Sequence, residues 1–145
     1  YNCNIPLQPG GGDDSYRYAF ERIVMPALDR FRPQLILVAS GLDANAVDPL
    51  ARMLLHSETF RWMTRMLMQV AATHCSGRLV LAHEGGYAEA AVPFCGHAIV
   101  EELAGETMGG GEPFFELFQA QQPGPEFQRF QRGLLDEMAQ GFGLR

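Results

Sequence analysis

Two short stretches hold the residues best suited to chemistry. Ser40-Gly41-Leu42-Asp43 places a carboxylate just past an apolar run, and Glu84-Gly85-Gly86-Tyr87 places a phenol on a glycine-hinged loop. A carboxylate can hold a divalent cation, and a phenol can donate a hydrogen bond to an oxyanion as it forms. Together they point to a metal-assisted hydrolase. Each residue also has a plainer reading: Asp43 as a turn or capping residue, Tyr87 as packing or surface. A catalytic zinc takes three protein ligands, and the histidines do not complete a set, since none of His56, His74, His83 and His97 stands at i, i+4 from another. His83 directly precedes Glu84 but reads as a strand-end residue, and Glu84 as a brace for the glycine loop. Cys3, Cys75 and Cys95 are odd in number and lack a CxxC, which argues against a disulfide framework or a cysteine zinc site. Met63, Met66 and Met68 read as packing on a helix.

Asp43 and Tyr87 can meet only if two strand ends lie side by side. Leu35 to Ala39 and Arg78 to His83 are short apolar runs bounded by turn signals, the pattern of strands buried on both faces of a parallel sheet. In such sheets ligands bind at the carboxyl ends of the strands. Apolar spacing predicts an amphipathic helix over 14–31, bent at Pro26, with Asp13, Asp14 and Ser15 as N-cap candidates. A second helix follows Ser57, read as its N-cap, and stops at Gly77. Residues 88–104 read as a third, despite Pro93, and about 126–140 as a last. Residues 1–7 read as a short strand leading into a glycine-rich loop. Alternating helices and strands predict an α/β fold with a parallel sheet and right-handed crossovers.

Composition narrows the function classes. Hydrophobic residues make up 47% and charged residues 19% of the 145 positions, an ordinary globular balance. A net charge of −6 argues against nucleic-acid partners, whose phosphates it would repel. No apolar run approaches the roughly 18 residues of a membrane span, and the opening residues lack a signal-peptide pattern. The free-thiol cysteine usage leads us to expect a cytoplasmic location.

The residues carry a resemblance beyond pattern. Tyr-Asn-Cys-Asn-Ile-Pro-Leu with its glycine-rich loop, Val-Met-Pro-Ala-Leu, Arg-Pro-Gln-Leu-Ile-Leu-Val, Ser-Gly-Leu-Asp-Ala, Asp-Pro-Leu-Ala-Arg-Met, Glu-Gly-Gly-Tyr, Pro-Phe-Cys-Gly and Glu-Glu-Leu-Ala-Gly follow one another in order. Residues 1 to about 105 thus resemble the second half of the catalytic domain of class II histone deacetylases, in particular their bacterial amidohydrolase branch. The resemblance implies an arginase/deacetylase-type parallel sheet flanked by helices, here its C-terminal part, with 106–145 as an extension of the same domain ending in a helix. It implies a Zn²⁺ cofactor, a structural monovalent cation, an acyl-lysine or acylated small-amine substrate, and a homo-oligomeric full-length parent. It assigns Asp43 as a zinc ligand, Tyr87 as the oxyanion donor, and Leu50, Gly85 and Gly86 as the lining of a narrow channel for the lysine stem. The family's Asp-x-His and paired-histidine motifs do not occur in these residues, and the chain opens on Tyr1 rather than methionine. Those features lead us to expect a C-terminal piece of a longer protein, poorly soluble alone. An acetylpolyamine amidohydrolase and a catalytically inactive interaction module stand as alternatives.

Overall fold

The structure, a computed structural model, describes residues 2–144. Its centre is a parallel pair of strands, β1 (Ile36–Ser40) and β2 (Leu79–His83), in register from Ile36 opposite Leu79 to Ser40 opposite His83. Helix α3 (Ser57–Cys75) forms the crossover between them. It ends in left-handed backbone at Ser76, with φ 54°, one residue before the expected stop, Gly77, which is itself at φ 77°. Around the strands lie α1 (Asp13–Ala19), a π-helical turn (Phe20–Val24), α2 (Met25–Phe31), α4 (Val92–Ala104), the short α5 (Phe115–Ala120) and α6 (Pro125–Gly141). The molecule is α/β, as the alternation predicts.

The two faces of the sheet differ. Ile36 and Val38 turn inward onto a cluster with Val70, Ala71 and Cys75 of α3 and with Met25 and Leu28 of α2. On the other face Leu37, Ala39, Val80 and Ala82 lie open, Leu37 with 70% and Val80 with 50% of its surface accessible. The expectation of strands buried on both faces is therefore corrected. Side chains alternate across a strand, and no described element covers the second face.

The helix expected over 14–31 exists, and its backbone stays right-handed helical at Ala19, Val24 and Met25, where its parts join. The α ladder loosens to π spacing over Phe20–Val24, directly before Pro26, which has no N–H to give to a regular α ladder. Pro93, by contrast, falls in the first turn of α4, where its missing N–H costs nothing, so residues 88–91 are a turn rather than helix. The strand expected at 1–7 does not form over residues 2–7, which are irregular, and Tyr1 lies outside the described residues. Helix α6 runs beside α1, burying Leu135 and Ala139 against Ala19 and Ile23. Asp136 accepts from Arg22 at 2.7 Å and from Tyr18 at 3.1 Å, and Asp14 pairs with Arg132.

Neither α1 nor α3 is capped by its own side chains. Gly12 and His56 occupy the cap positions, rather than Asp13, Asp14, Ser15 or Ser57. The unpaired amides at both starts are met from far along the chain. The Asp13 N–H donates to Gln122 Oε1 at 2.8 Å, and the Ser57 N–H to Glu112 Oε2 at 2.9 Å. A helix start leaves its first N–H groups without internal partners, and local sequence gives no sign that a residue 55 or 109 positions away will supply one.

Candidate active site

The parallel register brings both strand ends to one edge, and backbone pairing continues past them. The Glu84 N–H donates to the Ser40 carbonyl at 3.1 Å, and the Leu42 N–H to the Gly85 carbonyl at 2.7 Å. The two loops that carry Asp43 and Tyr87 are thereby held together. Gly41 and Gly85 make room for the Asp43 carboxylate. A Cβ on Gly41 would lie 2.8 Å from Asp43 Oδ1, and a Cβ on Gly85 would lie 2.5 Å from Oδ2 and 3.4 Å from the Tyr87 hydroxyl. Asp43 and Tyr87 therefore converge on the same small space beside Gly85. Gly86 is required by conformation as well as space. Its φ is +132°, and a Cβ there would come within 2.9 Å of Leu42 Cβ and 3.0 Å of Val92 Cγ2.

Leu50 sits at the rim with 70% of its surface accessible, and Tyr87 with 54%. Neither is core. Asp48 joins their backbones: its Oδ1 accepts from the N–H groups of Leu50 and Ala51 at 2.8 and 3.0 Å, and its Oδ2 from the Tyr87 N–H at 2.8 Å. Burial alone would raise the Asp48 carboxyl, but these three amides outweigh it and hold the group below its ordinary value. Within the Asp-Pro-Leu run, nothing in the local sequence marks Asp48 as such an anchor. Tyr16, within the helix expected over 14–31, packs on the cluster of Leu42, Leu55 and Phe60. Burial, then the nearby negative charge of Asp43, pushes the Tyr16 phenol up to about 12, so it stays protonated beside the carboxylate.

The histidines are elsewhere. His74 bonds Asp29 at 2.7 Å, and His97 bonds Glu101 at 3.0 Å. His56 is buried at the start of α3, where burial pushes its imidazole below the ordinary value against the pull of Asp13 and Glu112. His83 ends β2 with an exposed side chain. Among the described residues no group of three or more His, Cys, Asp or Glu side chains could hold a metal ion. The Asp43 carboxylate fits the part of a single ligand: it is cradled by Gly41 and Gly85 and shares its space with the Tyr87 hydroxyl.

Residues 1–103 match the histone deacetylase domain family. The chain belongs to that family. A histone deacetylase-like amidohydrolase of Pseudomonas aeruginosa is 58% identical over 144 residues, which are 99% of this chain and 38% of that protein. A probable deacetylase of Archaeoglobus fulgidus is 38% identical over 106 residues, 72% of this chain and 30% of the relative. The solved structure of the histone deacetylase Clr3 superposes with a TM-score of 0.73 at 28% identity, covering 96% of this chain and 22% of that one. The small sheet and its helices are thus part of an arginase/deacetylase fold, and the chain spans under two-fifths of these family members.

Proposed function

We propose that this chain forms one wall of the active site of a zinc-dependent deacetylase acting on acyl-lysine or a related acylated amine. The observation that carries the reading is the convergence of the Asp43 carboxylate and the Tyr87 hydroxyl beside Gly85, at the carboxyl ends of two parallel strands. Asp43 would hold Zn²⁺ as one of its ligands, the others and the general base coming from outside the described residues. Bound zinc polarises an acyl carbonyl and lowers the pKa of its water. Tyr87 donates its hydroxyl hydrogen to the carbonyl oxygen as that oxygen gains charge, and so favours the tetrahedral state over the amide. Gly85 and Gly86 let the backbone approach the acyl group closely, and Leu50 offers apolar surface to the methylene stem of lysine. Asp48 anchors the Tyr87 amide, which leaves only the side chain to move.

The test is Tyr87→Phe in the full-length protein with an acetyl-lysine reporter. Loss of an oxyanion donor lowers kcat by about 100- to 1000-fold, and bound zinc stays at the wild-type level. Unchanged turnover would overturn the assignment.

A further inference from the structure

Glu112 lies beyond the residues matched by the family, 1–103, yet it is buried, with 7% of its surface accessible. Its carboxylate enters the loop that carries Asp43. Oε2 accepts from the Ser57 N–H at 2.9 Å, at the start of the 19-residue α3, and Oε1 accepts from Asn45 Nδ2 at 3.4 Å. Asn45 is itself buried and fully engaged. Its Nδ2, whose two hydrogens are shared among three acceptors, also faces the Leu55 carbonyl at 3.2 Å and Cys95 Sγ at 3.5 Å. Its Oδ1 accepts from the Val47 N–H at 3.1 Å, and its own N–H donates to the Leu42 carbonyl at 3.2 Å. The last contact closes the turn in which Asp43 sits, two residues before Asn45, and the side-chain contacts fix Asn45 at its end. The two limbs of the loop are stitched by Leu55 N–H to Ala44 at 3.0 Å and Ala46 N–H to Leu55 at 2.9 Å.

A buried carboxylate is costly unless donors compensate it. Here they are one amide at the positive end of a long helix and one side-chain amide of the Asp43 turn. We propose that Glu112 is a positioning residue for Asp43: it locks Asn45 against the start of α3 and so holds the carboxylate in the geometry that grips the metal. The proposal rests on the deacetylase reading. It gives the segment after residue 105 a task at the active site, not merely on the surface. Gln122 fastens the other end of that segment, donating through Nε2 to the Leu54 carbonyl at 2.7 Å while its Oε1 accepts from the start of α1.

The experiment compares wild type, Glu112→Ala, Glu112→Gln and Asp43→Ala in the full-length protein. Zinc affinity is measured by chelator competition well below the melting temperature of each variant. Residues that support a ligand indirectly cost about 10- to 100-fold in metal affinity when removed, and Glu112→Ala should lose about tenfold. Glu112→Gln keeps one acceptor oxygen of two and should fall between Glu112→Ala and wild type, which also serves if the alanine variant fails to fold. A residue that only anchors the segment would lower the melting temperature and leave the zinc constant of the folded protein unchanged. That result, with zinc binding lost in Asp43→Ala, overturns the role of Glu112 and keeps the deacetylase reading. Full zinc affinity in Asp43→Ala overturns both.

Discussion

Asp48 shows how much one side chain can organise. Its two oxygens accept three backbone N–H groups, two from its own loop and one from Tyr87, 39 residues away. Replacing it by alanine strands those amides, and a lost hydrogen bond to a charged group costs about 1.5–3 kcal/mol. Asp48→Ala should therefore lower stability by about 2 kcal/mol in urea titration and reduce turnover more than substrate affinity, because Tyr87 loses its anchor. Equal turnover in the two proteins would show that Tyr87 is placed by Gly85 and Gly86 alone. Asp43, Tyr87 and the two glycines were legible in the sequence because each pair lies within four residues of a strand end. Asp48 and Glu112 were not. Their partners are brought to them only by the fold, and a carboxylate that satisfies distant amides has the same local signature as one exposed in a turn.

At the scale of elements, α3 and α4 are joined through a chain of charges. Arg61 Nη2 meets Glu101 Oε2 at 2.5 Å, Arg61 Nε meets Glu58 at 3.0 Å, and Arg65 meets Glu102 at 2.8 Å. The Arg61 guanidinium, followed by the Met108 amide, holds the Glu101 carboxyl down at about 2. A depressed folded-state value means the unfolded chain binds its proton first, at the ordinary glutamate value of about 4.3. The stabilisation is therefore complete above that pH and is lost as pH falls from about 4.3 towards 2. Thermal melts from pH 6 to pH 3 should show a steeper acid loss in wild type than in Glu101→Gln, and parallel curves would contradict the pairing. The helices and strands themselves were legible from apolar spacing and turn residues. Their starts were not: the side chains that looked like caps lie one to three residues inside α1 and one residue inside α3, because Gln122 and Glu112 meet the first amides.

For the whole molecule the open sheet face is the dominant feature. Leu37, Ala39, Val80 and Ala82 present an apolar strip on a two-stranded parallel sheet, a kind of sheet that is otherwise covered on both sides. An exposed apolar strip beside unpaired strand edges favours association. Leu37→Lys should make the 145-residue chain more soluble and reduce its binding of an apolar dye. In a complete deacetylase domain, where the strip would be covered, the same change should destabilise by about 2–4 kcal/mol. Opposite signs in the two settings would establish that the strip is a core face; a neutral outcome in the complete domain would make it a true surface. The residue types of both strands suit burial on both faces, but among the described residues one partner layer is present.

The π-helical turn has a consequence for how the chain tolerates change in length. Before it, Tyr16 packs toward the cluster of Leu42, Leu55 and Phe60 beneath the candidate site. Within and beside it, Ala19 and Ile23 pack on α6, and after it Met25 and Leu28 pack under the sheet. One helical rod thus serves three separate clusters, and the wider turn sets the angular offset between its two ends. A π turn holds one residue more than the α turn it replaces. Deleting one residue from 20–24 would thus restore α spacing and leave both ends near their present faces, whereas deleting one from α1 or α2 would rotate everything beyond it by about 100°. A one-residue deletion is therefore absorbed at the turn, whereas on either side of it the same change alters which layer of the molecule the helix belongs to.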